Sequence, residues 1–292
     1  ADDVATLGGG CHAHYLDHIL ADRRGLRRLW ERNHPFHRVI MALEKEQYRG
    51  CARIILNSAF ARQGLLRYFP WAEGKCRVIH NGVDAEFFRP NGELRARRRE
   101  ELQARPDTVI FLFVGSGFER KGLAAFLQAF ALTRQRNPGY EMLGVIVGRG
   151  NFPFYRHLAS RLGIERQVVF AGAVSDTRPF YCAGDVFVLP SKFDPHANTT
   201  NEALASGLPA ITTRTNGASE VLTPREGYVV EDAGEVQEIA AAMEELLNAE
   251  KRLEMSASAR QNALLRPWAE VTRKTLEVYQ EILSERRGGH LL

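Results

Sequence analysis

The sequence predicts an α/β fold in which parallel sheets are flanked by helices, divided between two domains. Three observations carry this. From Thr108 onward, short apolar runs alternate regularly with helical patterns, the arrangement that builds a parallel sheet covered on both faces. Residues 108–114 are a nearly continuous apolar run, as in a strand buried on both sides. The length, 292 residues, fits about two domains of ordinary size.

Taken in order, 13–29 and 36–49 have helical spacing of apolar residues. Arg53–Leu56 is a short β-branched run that reads as a strand, and Ser58 is placed to cap a helix over 60–69. Arg77–His80 is the next strand, closed by the Asn81-Gly82 turn. Residues 89–105, with Pro90, Asn91-Gly92 and many charges, read as a linker carrying an exposed helix. The second domain then runs strand 108–114, a helix from Leu123, strand 142–147, helix 154–162, strand 168–170, helix 176–182 capped by Asp176, strand 186–189, helix 202–206, strand 210–213, a short strand at 229–230 and a helix striped by Val236, Ile239, Ala240, Met243 and Leu247. Pro267 precedes a last helix, 268–283. The expected division is 1–88, 89–266 and a C-terminal helix, 267–292, returning to the first domain. The chain opens on Ala1 as though inside a domain, so the first domain is expected to be incomplete at its front.

Composition is that of a globular protein, 45% hydrophobic and 25% charged, with a net charge of +4. The mild basic excess suits anionic small molecules or an anionic membrane surface. It is clustered at Arg23, Arg24, Arg27 and Arg28 and again at Arg95–Arg99. Cys11, Cys51, Cys76 and Cys182 have neither metal-like nor CxxC spacing, and read as reduced thiols of a cytosolic protein. No apolar run is long enough to span a bilayer, and no signal peptide is evident. No basic strand interleaved with aromatics suggests nucleic-acid binding.

In open α/β sheets, ligands bind beyond the carboxyl ends of the strands. Five such ends carry glycine or small polar residues. After Val114 come Gly115, Ser116 and Gly117, then Arg120 and Lys121, two cations at a helix start that suit a diphosphate. It is not a Walker loop, because the Gly-Lys-Ser/Thr ending is absent. After Val147 comes Gly148-Arg149-Gly150, and after Phe170 comes Ala171-Gly172-Ala173, where a flat base has room against the backbone. Each turn alone is as compatible with plain structure; their convergence is the stronger signal. The richest segment is 194–213. Asp194 and Glu202 stand eight positions apart, separated by Asn198, Thr199 and Thr200 where a helix should begin, and the first N–H groups of a helix form an anion site.

The stretches 114–123 (VGSGFERKGL), 183–191 (AGDVFVLPS), 202–209 (EALASGLP) and 216–220 (NGASE) resemble the family 4 glycosyltransferases of the GT-B fold. Within that family they are most similar to the lipopolysaccharide-core α-glucosyltransferases that use UDP-glucose. Weaker similarity extends over nearly all of 1–285, including 80–84 (HNGVD) at the entry to the second domain. The resemblance implies two Rossmann-like domains and a retaining hexosyltransferase. Its donor would be a nucleotide sugar, UDP-glucose favoured over GDP-mannose, and its acceptor a glycan or glycolipid. It implies that Arg120 and Lys121 hold the diphosphate, Glu202 the ribose and Asp194 the transferred sugar. Asn198 and Thr199 would lie against the phosphate, and Ala173 would line the base pocket. With no Asp-x-Asp pattern, no metal is expected. Three positions depart from the family pattern: Asp194 stands for the usual Glu, a glycine near Ala197 is missing, and Ser116 replaces an Arg common in other members. The first two bear on which sugar is moved.

In the first domain, His12 or His14 falls where the family approaches sugar and acceptor, although a surface histidine fits as well. The Arg23–Arg28 cluster with Leu20, Leu26, Leu29 and Trp30 is similar to the family's membrane-facing basic helix. Its alternative is a solvated helix. The expected location is cytoplasmic, peripheral on the inner face of the cytoplasmic membrane. A non-catalytic nucleotide-sugar binding module is the competing function.

Overall fold

The computed structural model describes residues 3–21 and 30–288, which divide into two compact units. One comprises the chain up to Gly82, the short segment Phe193–His196 and everything from Trp268; the other comprises Val83–Lys192 and Ala197–Pro267. The unit boundary thus falls six residues before the expected one, and four residues inside the expected second domain pack with the first. The Arg23–Arg28 cluster lies outside the described residues. No helix among them is long and apolar enough to cross a membrane.

The N-terminal unit has a parallel three-stranded sheet in the order β1 (Val4–Leu7), β2 (Arg53–Leu56), β3 (Cys76–Val78). Between β1 and β2 lie α1 (His12–Ile19) and α2 (Pro35–Gly50); α3 (Ala59–Tyr68) joins β2 to β3. Ser58 caps α3 as its spacing predicts: its Oγ accepts the Ala61 N–H at 3.0 Å. The first strand has no clear signature in the sequence, being four residues followed directly by Gly8-Gly9-Gly10.

The C-terminal unit opens with α4 (Gly92–Glu101). Its parallel sheet has six strands: β4 (Val109–Val114), β5 (Met142–Val147), β6 (Val168–Gly172), β7 (Val186–Leu189), β8 (Ala210–Thr213) and β9 (Gly227–Val230). Their order is β6-β5-β4-β7-β8-β9. The chain winds outward from β4 to β6, then returns to place β7 on the other side of β4. This reversal makes the carboxyl ends of β4 and β7 a topological switch point, where a crevice opens. The helices are α5 (Leu123–Arg136), α6 (Phe152–Arg161), α7 (Arg178–Ala183), α8 (Asn198–Ala205), α9 (Val236–Glu245) and α10 (Ala249–Leu264). Every residue of β4 and of β7 is buried, as continuous apolar runs require.

The expected linker helix, α4, belongs to the body of this unit. Arg95 and Arg99 bind the two carboxylate oxygens of Asp185 at 2.6 and 3.1 Å. Asp185 also accepts the Ile110 N–H at 2.7 Å, tying the starts of β4 and β7 together. A cavity of about 450 Å³ beside this network is lined by Arg95, Asp185, Ser206, Arg252 and Ser256. Asp176 does not cap α7, which starts after Thr177 without a side-chain cap. Instead Asp176 chelates the Arg178 guanidinium and accepts its N–H at 3.0 Å.

The final helix, α11 (Trp268–Gly288), packs on the N-terminal unit. Val278 and Ile282 bury against Ile55 and Ile79, and Glu281 pairs with Arg53 at 3.0 Å and with Arg77.

Candidate functional site

The carboxyl edge of the six-stranded sheet is built by backbone laced to backbone. Beyond β4, the Gly115 N–H donates to Val147 O at 2.9 Å and the Gly117 N–H to Arg149 O at 2.9 Å. The Arg149 N–H donates to Ser116 Oγ at 3.2 Å, and the Gly148 N–H to Gly172 O at 2.8 Å. Gly148 has φ of 135°, and a Cβ there would overlap the Gly115 carbonyl, so only glycine lets the two loops close. Gly122, at φ of 75°, plays the same part against the Pro190 carbonyl beyond β7. The Lys192 N–H donates to Arg120 O at 2.9 Å, closing the two sides of the switch point together. Lys121 is buried, and its stem crosses Gly115 in van der Waals contact with the space a Cβ would take.

On the far side of β7, α8 begins at Asn198, the start that the polar run 198–200 predicts and four residues ahead of the apolar pattern at 202–206. Ala197 stands at its N-cap position and brings no capping side chain. The approach to the helix is held by fully buried Asn216. Its Oδ1 accepts the N–H groups of Ala197 and Ala218, both at 3.1 Å, and its Nδ2 donates to Thr212 Oγ1 at 2.9 Å and Thr200 Oγ1 at 3.3 Å. One turn into α8, Glu202 Oε2 accepts a hydrogen bond from Tyr181 OH at 2.8 Å. Burial raises the Glu202 pKa above the ordinary glutamate value; the Tyr181 hydrogen bond and the Lys121 charge oppose that rise.

The structure therefore gathers Gly115, Ser116, Gly117, Arg120, Lys121, Arg149, Asn198, Thr199, Thr200 and Glu202 on one edge of the C-terminal unit, with exposed Ala173 just past β6. Asp194 packs in the N-terminal unit. Its Oδ1 accepts the His196 N–H at 3.2 Å, and neighbouring Pro195 O accepts Ser58 Oγ–H at 2.5 Å. His12 is in the same unit. Its backbone N–H meets both Glu44 oxygens at 3.0 and 3.2 Å, and its Nε2 lies 2.9 Å from His37 Nδ1. Burial, and secondarily His37, lower its pKa. His14 is a core ring packed among His18, Phe60 and Phe193, its pKa pushed down to about 4 chiefly by burial. Two contributors escape a reading of the sequence: Tyr181, 21 positions from its partner, and the buried amide of Asn216. The 216–220 stretch that carries the family resemblance, with its Asn-Gly turn, hints at the second.

Two parallel-sheet units, one with a cation-bearing glycine rim facing an uncapped helix start across a switch point, are the parts of a GT-B fold. Comparison with known proteins agrees: residues 108–249 match the model of "Glycosyl transferases group 1" and residues 7–87 that of "Glycosyltransferase Family 4", and the chain belongs to the family 4 glycosyltransferases. It is 33% identical over 172 residues to the lipopolysaccharide core biosynthesis glycosyltransferase LpsE of Rhizobium meliloti, covering 59% of this chain and 47% of that one. It is 29% identical over 263 residues to the D-inositol 3-phosphate glycosyltransferase of Acidothermus cellulolyticus, covering 87% and 58%. The chain thus spans about half the length of these curated relatives. Among solved structures, it resembles WaaG, a glycosyltransferase involved in lipopolysaccharide biosynthesis, with a TM-score of 0.80 at 19% identity over 94% of this chain and 74% of that one. It resembles Anabaena HepE in complex with UDP-glucose with a TM-score of 0.75 at 20% identity over 95% and 72%.

Proposed function

We propose that the chain carries the donor site of a retaining hexosyltransferase. The enzyme would move a hexose from a nucleotide sugar, UDP-glucose favoured, to a lipopolysaccharide-core or other glycan or glycolipid acceptor. The observation that carries this is the glycine rim bearing Arg120 and buried Lys121 on one side of the switch point, with the uncapped start of α8 on the other. Lys121 and Arg120 hold the diphosphate, and the first N–H groups of α8 meet its second phosphate. Glu202 accepts the ribose hydroxyls, and the base lies along Gly172-Ala173 and Arg149. By the family resemblance, Asp194 is assigned to hydroxyls of the transferred sugar and His12 to the sugar or acceptor.

In the reaction, the bond between the anomeric carbon and the diphosphate oxygen breaks, and its electron pair leaves with the nucleoside diphosphate. The acceptor oxygen bonds to the same face of that carbon and passes its proton to the departing diphosphate oxygen. Cations and helix dipole offset charge growing on the leaving group, so turnover is expected to survive chelation of divalent metals. A membrane-associated acceptor fits a peripheral location on the cytoplasmic face. A donor screen with UDP-glucose, GDP-mannose and ADP-glucose, with UDP, GDP and ADP competing in calorimetry, tests the reading. Asp194→Glu is expected to keep nucleotide affinity and shift sugar preference; loss of nucleotide binding would mean the donor is misplaced. The competing reading is a nucleotide-sugar binding module without turnover. Tight nucleotide binding with neither transfer nor donor hydrolysis would support it.

A further inference from the structure

Glu202 does not stand by itself. Tyr181, on the short helix α7, is fully buried. Its ring is wedged between Phe88 and Phe187, with centroids 5.8 and 6.2 Å away, so the phenol has little freedom to swing. Its hydroxyl ends 2.8 Å from Glu202 Oε2 and 3.4 Å from Thr199 O, in the first turn of α8. Among the described residues it is the donor to that carboxylate, which leaves Oε1 for a ligand. The carboxylate itself sits half-buried on α8, so a single well-directed donor decides which way its lone pairs point.

We infer that Tyr181 is a positioning residue for nucleotide recognition, turning Glu202 so that its remaining acceptor capacity meets a pair of vicinal hydroxyls on the ligand. This rests on the reading of Glu202 as the ribose contact. Two properties suit Tyr181 to the task. Burial and the adjacent Glu202 charge raise its pKa well above that of a free phenol, so it remains a donor. By donating to the carboxylate, it also favours the ionised form that burial disfavours. A diol that donates two hydrogen bonds requires that ionised form.

The test uses the full chain and whichever of UDP, GDP or ADP binds it tightest, measured beside the 2′-deoxy form of the same nucleotide at several pH values. The unmodified chain is expected to prefer the ribonucleotide, and Glu202→Gln to lose most of that preference. Tyr181→Phe keeps the ring and its packing. It is expected to reduce the preference roughly five- to tenfold, the net worth of one ordinary hydrogen bond. It should also move the pH at which the preference fades upward, because removing the donor raises the Glu202 pKa. In the Glu202→Gln background, Tyr181→Phe should change the preference no further. A Tyr181→Phe chain that unfolds earlier on heating but keeps both the full preference and its pH profile would show a merely structural tyrosine and overturn the inference. If the unmodified chain binds both nucleotides equally, or Glu202→Gln keeps the preference, the ribose reading itself has failed and the inference goes with it.

Discussion

Asp185 and Glu202 are both acids of the six-stranded unit, placed at opposite ends of its sheet. Asp185 precedes β7 and is saturated: two guanidinium groups and the Ile110 N–H take its oxygens. Glu202 lies past the carboxyl end of the same strand and receives one phenol, with Lys121 nearby. The first acid is a fastener that closes the start of the sheet. The second is held by one side and left open on the other. What separates a structural acid from a ligand-facing one here is not burial or charge but how much of its acceptor capacity the protein itself consumes.

The sharpest way to break this contrast is to remove the fastener. Asp185→Ala leaves Arg99 and Arg95 facing carbonyls alone, and should cost about 3–5 kcal/mol of stability, seen as an earlier thermal unfolding transition with nucleotide affinity per folded molecule unchanged. At the other end, Lys121→Ala should do the reverse. Turnover with the preferred donor falls by about two to three orders of magnitude while the unfolding transition stays in place; an unaffected rate would remove the diphosphate assignment. Gly122→Ala falls between them, because a Cβ would meet the Pro190 carbonyl and φ is positive. Roughly 2–3 kcal/mol of stability and much of the nucleotide affinity should go together in calorimetry and thermal melts. The smallest effect is in pH. The folded pKa of Glu202 is raised above 4.5, so the folded state holds its proton at a pH where the unfolded chain has lost it. Stability should therefore rise as pH falls through that raised pKa, the gain being complete below about 4.5, while nucleotide affinity falls over the same window. Glu202→Gln should flatten both curves; equal slopes in variant and parent would assign the titration elsewhere.

Much of the fold is legible in the residues themselves. The strands at 53–56, 142–147, 186–189 and 210–213 begin and end where the apolar, β-branched runs do, because Gly, Pro or Asn flanks them. Helix α10 leaves no such trace: its buried face is Met255, Ala259 and Ala263, and alanines raise no hydrophobic signal. The start of α8 is legible only from the polar run Asn198, Thr199 and Thr200, because no apolar period begins before Glu202. Arg95 and Arg99 have the look of surface charge in a linker; nothing local says that a carboxylate 86 to 90 positions away awaits them. The candidate site follows the same rule. Glycines and cations at strand ends announce themselves, whereas the partner that aims Glu202 is a contact across the fold.

Arg149 illustrates one further point. Its N–H and carbonyl are both committed, to Ser116 Oγ and to the Gly117 N–H, while its side chain is exposed. Any residue other than proline can make those two bonds. The rim can therefore change what it displays at this position without changing its shape, which, on the proposed donor site, leaves nucleotide preference open to substitution at position 149 while folding stays untouched.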